Sequence, residues 1–218
     1  MSEITELRDR LPLDVFDYQA LVDCLESYSK PRDRIGRLVA SGDIIRIRRG
    51  LYAFPAPLRK RPILREQLAN LIFGPSYVSL ESALSYHGLI PERVEAVTSV
   101  TTGRSRVFET PFGVFSYRMQ TPSRYAVGAQ LLPEIEPAFL MASQEKALAD
   151  KVWADKRFAG TRVGDFGPYL LEDLRIESRA LSALDAERLE AVGRAYGSPK
   201  IGNLLRFLRG LAKEATGR

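Results

Sequence analysis

The chain of 218 residues contains one cysteine, one histidine and one tryptophan. A lone Cys24 excludes an internal disulfide and fits a reducing compartment. One thiol and one imidazole, His87, cannot assemble a zinc site of the usual Cys/His type, so no metal is expected. No apolar run approaches the ~20 residues that span a bilayer. The opening MSEITELRDRLPLDVFDY alternates charge and has no apolar stretch of the secretory kind. The sequence therefore predicts a cytoplasmic protein without a membrane partner. Enzyme signatures are missing as well: there is no GxxxxGK[ST] phosphate loop, no HExxH, no GxSxG and no paired-cysteine motif. Carboxylates are numerous, but no spacing singles out an acid/base pair. A non-enzyme that needs no cofactor is the expectation.

What is present is an ordinary globular composition, 45% hydrophobic and 27% charged, with an uneven charge distribution. Residues 1–29 carry two arginines against seven acids, and residues 62–218 have a net charge of only +2. Between them, residues 30–61 hold ten Lys and Arg against two acids, a net of +8. The excess positive charge of the whole chain sits in that window. A concentrated basic patch is the footprint of phosphate neutralisation.

The same window has a readable local pattern. Residues 14–26 place Val15, Tyr18, Leu21, Val22 and Leu25 at helical spacing, with Asp17, Asp23 and Glu26 outside; Cys24 falls at the edge of that stripe as a small filler. Ser29 followed by Lys30-Pro31 predicts the start of a second helix, with Ser as cap. That helix runs to about Ser41 with Ile35, Leu38 and Val39 inward. At 100° per residue, Asp33, Gly36, Arg37 and Ala40 point the other way, flanked by Arg32 and Arg34. Small residues among arginines allow close approach to a duplex, where Arg34 and Arg37 reach guanine edges or phosphates and Asp33 accepts from a cytosine amine. Gly42 stops the helix. Ile45 and Ile47 alternating with Arg46 and Arg48 predict a half-buried strand, Arg49-Gly50 a tight turn, and Leu51 to Phe54 the returning strand. Helix, basic helix and basic ribbon is the order of a winged helix-turn-helix. The residues expected on DNA are Lys30, Arg32, Asp33, Arg34 and Arg37 from the helix, and Arg46, Arg48, Arg49, Gly50 and Tyr52 from the ribbon. Arg59, Lys60 and Arg61 follow in a basic linker within reach of phosphates.

The remainder reads as a larger mixed α+β unit, giving an α+β fold class with residues 1–61 and 62–218 as the two domains. Leu64, Leu68, Leu71 and Ile72 form a helical stripe, and Ser79 caps a helix from Leu80 that ends at His87, a residue suited to a helix C-terminus. Val94 to Arg118 predicts a small antiparallel meander. Ser143 caps a helix with Lys146 and Asp150 at salt-bridging spacing. Helices near 168–175, 184–195 and 199–213 complete the unit, with Arg194, Lys200, Arg206, Arg209 and Lys213 on a solvated surface.

Several runs together carry a family resemblance: Arg37-Leu38-Val39 through Arg48-Arg49-Gly50-Leu51-Tyr52, Tyr77-Val78-Ser79-Leu80-Glu81-Ser82-Ala83-Leu84 with His87 to Glu92, Thr110-Pro111-Phe112-Gly113, and Glu145-Lys146-Ala147-Leu148-Ala149-Asp150. Over about residues 15–155 the chain resembles the AbiEi family, the antitoxins of type IV toxin–antitoxin and phage-defence systems. The resemblance implies a repressor whose winged helix binds inverted repeats in its own promoter, as a dimer on DNA. It implies a C-terminal domain that counters a nucleotidyltransferase-like toxin, with direct binding of the two proteins left open. Ser79, Glu81, Ser82, His87 and Lys146 are the antitoxin candidates on this basis. The alternatives are a protein-interaction module that carries a basic helix, a regulator with no antitoxin role, and a nuclease built from scattered carboxylates.

Overall fold

A helix absent from the sequence reading opens the fold: α1 spans Glu3–Arg10 in a computed structural model that describes residues 3–134 and 136–216. Its Leu7, with Leu11 just beyond, enters a small core with Leu21, Leu25, Ile35, Leu38, Ile44 and Phe54. After it come strand β1 (Val15–Asp17), helix α2 (Tyr18–Cys24), helix α3 (Pro31–Ala40) and the strands β2 (Ile45–Arg48) and β3 (Leu51–Ala53). The single helix expected over 14–26 is thus a strand followed by a shorter helix. Asp17 divides them, its side chain accepting from the Ala20 amide at 2.8 Å as an N-cap. Three residues are too few for a period-two pattern to register. The start of α3 also differs: Lys30 is the N-cap residue and makes no side-chain cap bond, while Pro31 takes the first turn.

The three short strands form an antiparallel sheet in the order β1-β3-β2. Three helices and this sheet make a complete winged helix-turn-helix. The central strand is buried on both faces. Tyr52 and Phe54 enter the small core, and Leu51 and Ala53 enter the main core of the chain. The alternation of a strand therefore seats the N-terminal unit on the rest of the protein. Asp14 strengthens the junction. Its carboxylate lies 3.4 Å from the Arg8 guanidinium and accepts the Lys60 and Arg61 amides at 3.0 Å. The stretch read as a free basic linker is consequently tied down.

Beyond it the chain runs through α4 (Arg65–Ile72), β4 (Ser76–Val78), α5 (Leu80–Tyr86), β5 (Val97–Thr101), β6 (Arg106–Thr110), β7 (Gly113–Met119) and the single turn α6 (Pro122–Tyr125). Strands β8 (Ala129–Leu132) and β9 (Phe139–Ala142), α7 (Gln144–Ala154), a π-helical turn at Pro168–Asp173, α8 (Ser178–Ser182), α9 (Ala186–Tyr196) and α10 (Pro199–Thr216) follow. The sheet has six strands in the order β6-β7-β5-β4-β9-β8. The expected meander is corrected here: β6 and β7 form a hairpin, but β7 lies between β6 and β5 and runs parallel to β5. Alternation buries Phe115 and Tyr117 and leaves Val114 and Ser116 outside, which marks a strand without fixing its neighbour.

Under this sheet lies a polar cluster that is fully buried. Lys146 and Asp150, each with a side chain 1% exposed, pair at 2.9 Å across one turn of α7. Asp150 also accepts from Ser79 at 2.7 Å, Tyr77 at 3.2 Å and Tyr196. Lys146 Nζ donates to Asp150 and Tyr196, and both Asp150 oxygens accept, the kind of partnering under which a buried charge pair is tolerated. The Lys146 stem lies against Gly128, where an added Cβ would sit 2.7 Å from the lysine Cβ. Desolvation pulls the Lys146 ammonium below its ordinary value against the opposing pull of Asp150. Burial, with Asp150 alongside, pushes the Tyr77 and Tyr196 phenols well above theirs.

Candidate nucleic-acid interface

Helix α3 buries Ile35 and Leu38 and leaves Arg32, Asp33, Gly36, Arg37 and Ala40 exposed, as the helical phase predicts. A Cβ built on Gly36 meets nothing within 4 Å, so the small residue answers no need of the fold itself. Gly in a helix interior is about 1 kcal/mol less favourable than Ala. Opposite α3 stands the β2–β3 hairpin, turned at Gly50 with φ +84, a conformation open to glycine. Between them runs a groove of about 740 Å³, lined by Arg32 and Gly36 from the helix and Arg46 and Arg49 from the hairpin. Among the described residues, no acidic side chain lines it. Like charges placed side by side repel one another, and an anionic partner in the groove removes that repulsion.

The hairpin does not present all of its arginines together. Strict alternation would put Arg46 and Arg48 on one face. The register instead shifts between them, with Arg46 opposite Tyr52 and Arg48 opposite Leu51. Arg48 is exposed but lies on the side of the main core, near enough to Tyr117 to oppose electrostatically the rise that burial imposes on that phenol. Arg46 and Arg49 line the groove; Arg48 does not. Tyr52, expected at the nucleic acid, is 6% exposed and packs with the small core, so its ring forms the floor of the groove.

The remaining basic candidates divide similarly. Lys30 is exposed beside the start of α3. Arg34 is half-buried, its guanidinium 5.5 Å from the centre of the Tyr28 ring. Arg59 is held to the fold by its bond to the Phe54 carbonyl at 2.8 Å and by stacking over Phe112 at 5.1 Å. Lys60 and Arg61 have exposed side chains, and Arg61 pairs with Glu136 at 3.2 Å. The sequence reading missed Tyr18. It placed this ring on a buried helical stripe, but the helix starts only at Tyr18, which is 39% exposed and lines the groove. Its amide donates to the Gly50 carbonyl at 3.0 Å, joining α2 to the tip of the hairpin. Cys24 packs against the small core, and burial pushes its thiol up, away from the reactive thiolate.

The five antitoxin candidates do not converge on one surface. Ser79 and Lys146 are 0% exposed and belong to the Asp150 cluster. Ser82 is 8% exposed, donating to the Ala96 carbonyl and accepting from the Thr98 amide at 2.8 Å. His87 is the C-cap of α5, and its Nε2 donates to the Ala142 carbonyl at 2.8 Å. Glu81 accepts from Lys151 at 2.7 Å at the edge of a depression. Buried side chains cannot meet a partner protein, so Ser79, Ser82 and Lys146 serve the fold. Among the basic residues near the C-terminus, Lys200 turns inward to the Asp155 carbonyl at 2.8 Å, and Arg209 pairs with Glu190.

Residues 3–55 match the family model described as "Transcriptional regulator, AbiEi antitoxin". The match supports a transcriptional-regulator and antitoxin role and covers the three helices and the hairpin built above. No curated protein matches the chain. Among solved structures, that of the RV2827C protein from Mycobacterium tuberculosis is similar at 17% identity and a TM-score of 0.47, covering 93% of this chain and 78% of that one. No helix among the described residues is long and apolar enough to cross a membrane, and no group of three or more His, Cys, Asp or Glu among them is placed to hold a metal.

Proposed function

We propose that the protein is a DNA-binding autorepressor and antitoxin of a type IV toxin–antitoxin system. Helix α3 enters the major groove, with Arg37 and Asp33 at base edges and Gly36 allowing close approach. Arg32, Arg46 and Arg49 neutralise phosphates along the groove between helix and hairpin. The observation that carries this reading is that groove, basic on both walls and with no acidic side chain among the described residues that line it. Residues 1–61 act as the DNA-binding domain and residues 62–218 as the antitoxin domain, with Glu81 and His87 the candidates that are not fully buried. Inverted repeats in the protein's own promoter are bound by a dimer, each copy taking one half-site.

An electrophoretic shift with the DNA upstream of its own gene tests the DNA reading. A shift that weakens as salt rises is expected; no shift, or one indifferent to salt and sequence, overturns it. The antitoxin reading is tested separately by co-expression with the nucleotidyltransferase-like toxin encoded alongside. Growth rescue that survives the joint replacement of Arg46 and Arg49 by Ala is expected, because the larger domain supplies it. Loss of rescue with that variant, at unchanged protein level, contradicts the division of labour.

A further inference from the structure

The larger unit holds a second depression of about 500 Å³, formed by residues far in sequence from the N-terminal groove. One wall is the open sheet face, where Thr98 and Ser116 stand opposite each other on β5 and β7, with Arg118 two residues on from Ser116. The other wall comes from the start of α5, the end of α7 and the loop beyond. Four cations line the depression, Arg118, Lys151, Lys156 and Arg157, against two carboxylates, Glu81 and Asp155. Both carboxylates are already engaged. Lys151 lies 2.7 Å from Glu81 and 3.9 Å from Asp155. Burial works against ionisation of Asp155, but the Arg157 amide, Lys151 and the Tyr169 hydroxyl outweigh it and hold the carboxyl below its usual range. Among the described residues, Arg118 and Lys156 have no acidic partner within 4 Å and the Ser116 hydroxyl makes no hydrogen bond.

We infer that this cleft binds a phosphate group. Arg118 offers a planar fork of donors, Lys156 a point charge and Ser116 a hydroxyl donor, a set suited to phosphate oxygens. The volume falls in the ~300–1,000 Å³ range of small-molecule sites, enough for a nucleotide or the phosphorylated end of a strand. This inference does not depend on DNA binding by the winged helix.

The test is calorimetric titration of the full chain carrying Arg32→Ala, Arg46→Ala and Arg49→Ala, which strips the N-terminal groove of the arginines that line it. The probes are inorganic pyrophosphate, a 5′-phosphorylated trinucleotide and the same trinucleotide without its phosphate. Saturable binding of one phosphorylated probe per chain is expected, with none of the unphosphorylated strand. Preference for pyrophosphate identifies a free nucleotide as the natural source, and preference for the trinucleotide identifies a strand end. Adding Arg118→Gln and Lys156→Gln should weaken binding about tenfold or more. Both side chains are exposed, so an unchanged melting temperature verifies the fold. In the otherwise native chain, these two replacements should leave the promoter shift unaltered. No saturable binding, or binding indifferent to Arg118 and Lys156, overturns the proposal.

Discussion

Arg37 and Lys146 carry the same charge in opposite surroundings. Arg37 stands exposed on α3 with no acidic side chain within 4 Å among the described residues. Lys146 is sealed under the larger sheet, where it donates to Asp150 and Tyr196. A cation sealed and paired within the fold is out of reach of a ligand; one that is solvated and has no acidic partner is available to an anion. The same contrast appears between Arg46 and Arg59, where a difference in bonding separates a residue facing the groove from one that secures its own chain segment.

The contrast can be broken first at the buried end. Asp150→Ala leaves Lys146 unpaired and should lower the unfolding free energy by about 3–5 kcal/mol in chemical denaturation. The joint replacement Lys146→Met with Asp150→Leu should recover much of that loss; a single replacement that is neutral would show the pair to be idle. The alkaline limit reports on the same cluster. Buried Tyr77 and Tyr196, joined by Tyr117 and Tyr169, keep their protons folded above the pH near 10 at which unfolded tyrosines release them. Their contribution is therefore complete below pH 10 and lost as pH rises beyond it. Lys146 acts in reverse below its ordinary 10.5, where the unfolded chain holds the proton more firmly. Stability should fall steeply only once the phenols prevail, and Tyr196→Phe should soften that fall when melting is followed from pH 8 to 11.5. A wild-type profile that stays flat above pH 10 would contradict the burial of these phenols.

At the exposed end the effects are smaller and fall on binding. Arg37→Ala should cost ~1–3 kcal/mol on the preferred operator and relax specificity at one base pair, as read from a panel of single-base variants. Uniform weakening across the panel would make Arg37 a phosphate contact instead. Gly36→Ala should make the free protein about 0.5–1 kcal/mol more stable, since the added methyl meets open space, while weakening the promoter shift. A gain in stability with unaltered binding would mean that α3 does not approach DNA closely at Gly36.

Much of the candidate interface's local structure was legible because it rests on short-range rules. The phase of α3, the turn at Gly50 and the concentration of charge follow from spacing and composition alone. The errors came where tertiary contacts decide. Val15–Asp17 is a strand only because β3 offers it a partner, and that displaced Tyr18 from the core to the groove. One bulge at Ile47 separated Arg48 from Arg46, and no periodicity signals a bulge. Lys146 and Ser79 looked like surface candidates because sequence shows residue type and not depth. The i,i+4 spacing of Lys146 and Asp150 was read correctly, but on a buried face. The order of the six strands depends on β7 lying between β6 and β5, a choice made by packing rather than by local pattern.

The most direct measurement of the central claim is the salt dependence of operator binding. For each phosphate neutralised, log K should fall with log salt by about 0.9. Joint replacement of Arg32, Arg46 and Arg49 by Ala should lower the slope by roughly two to three while the melting temperature holds. A slope that does not change would contradict the assignment of this groove to DNA.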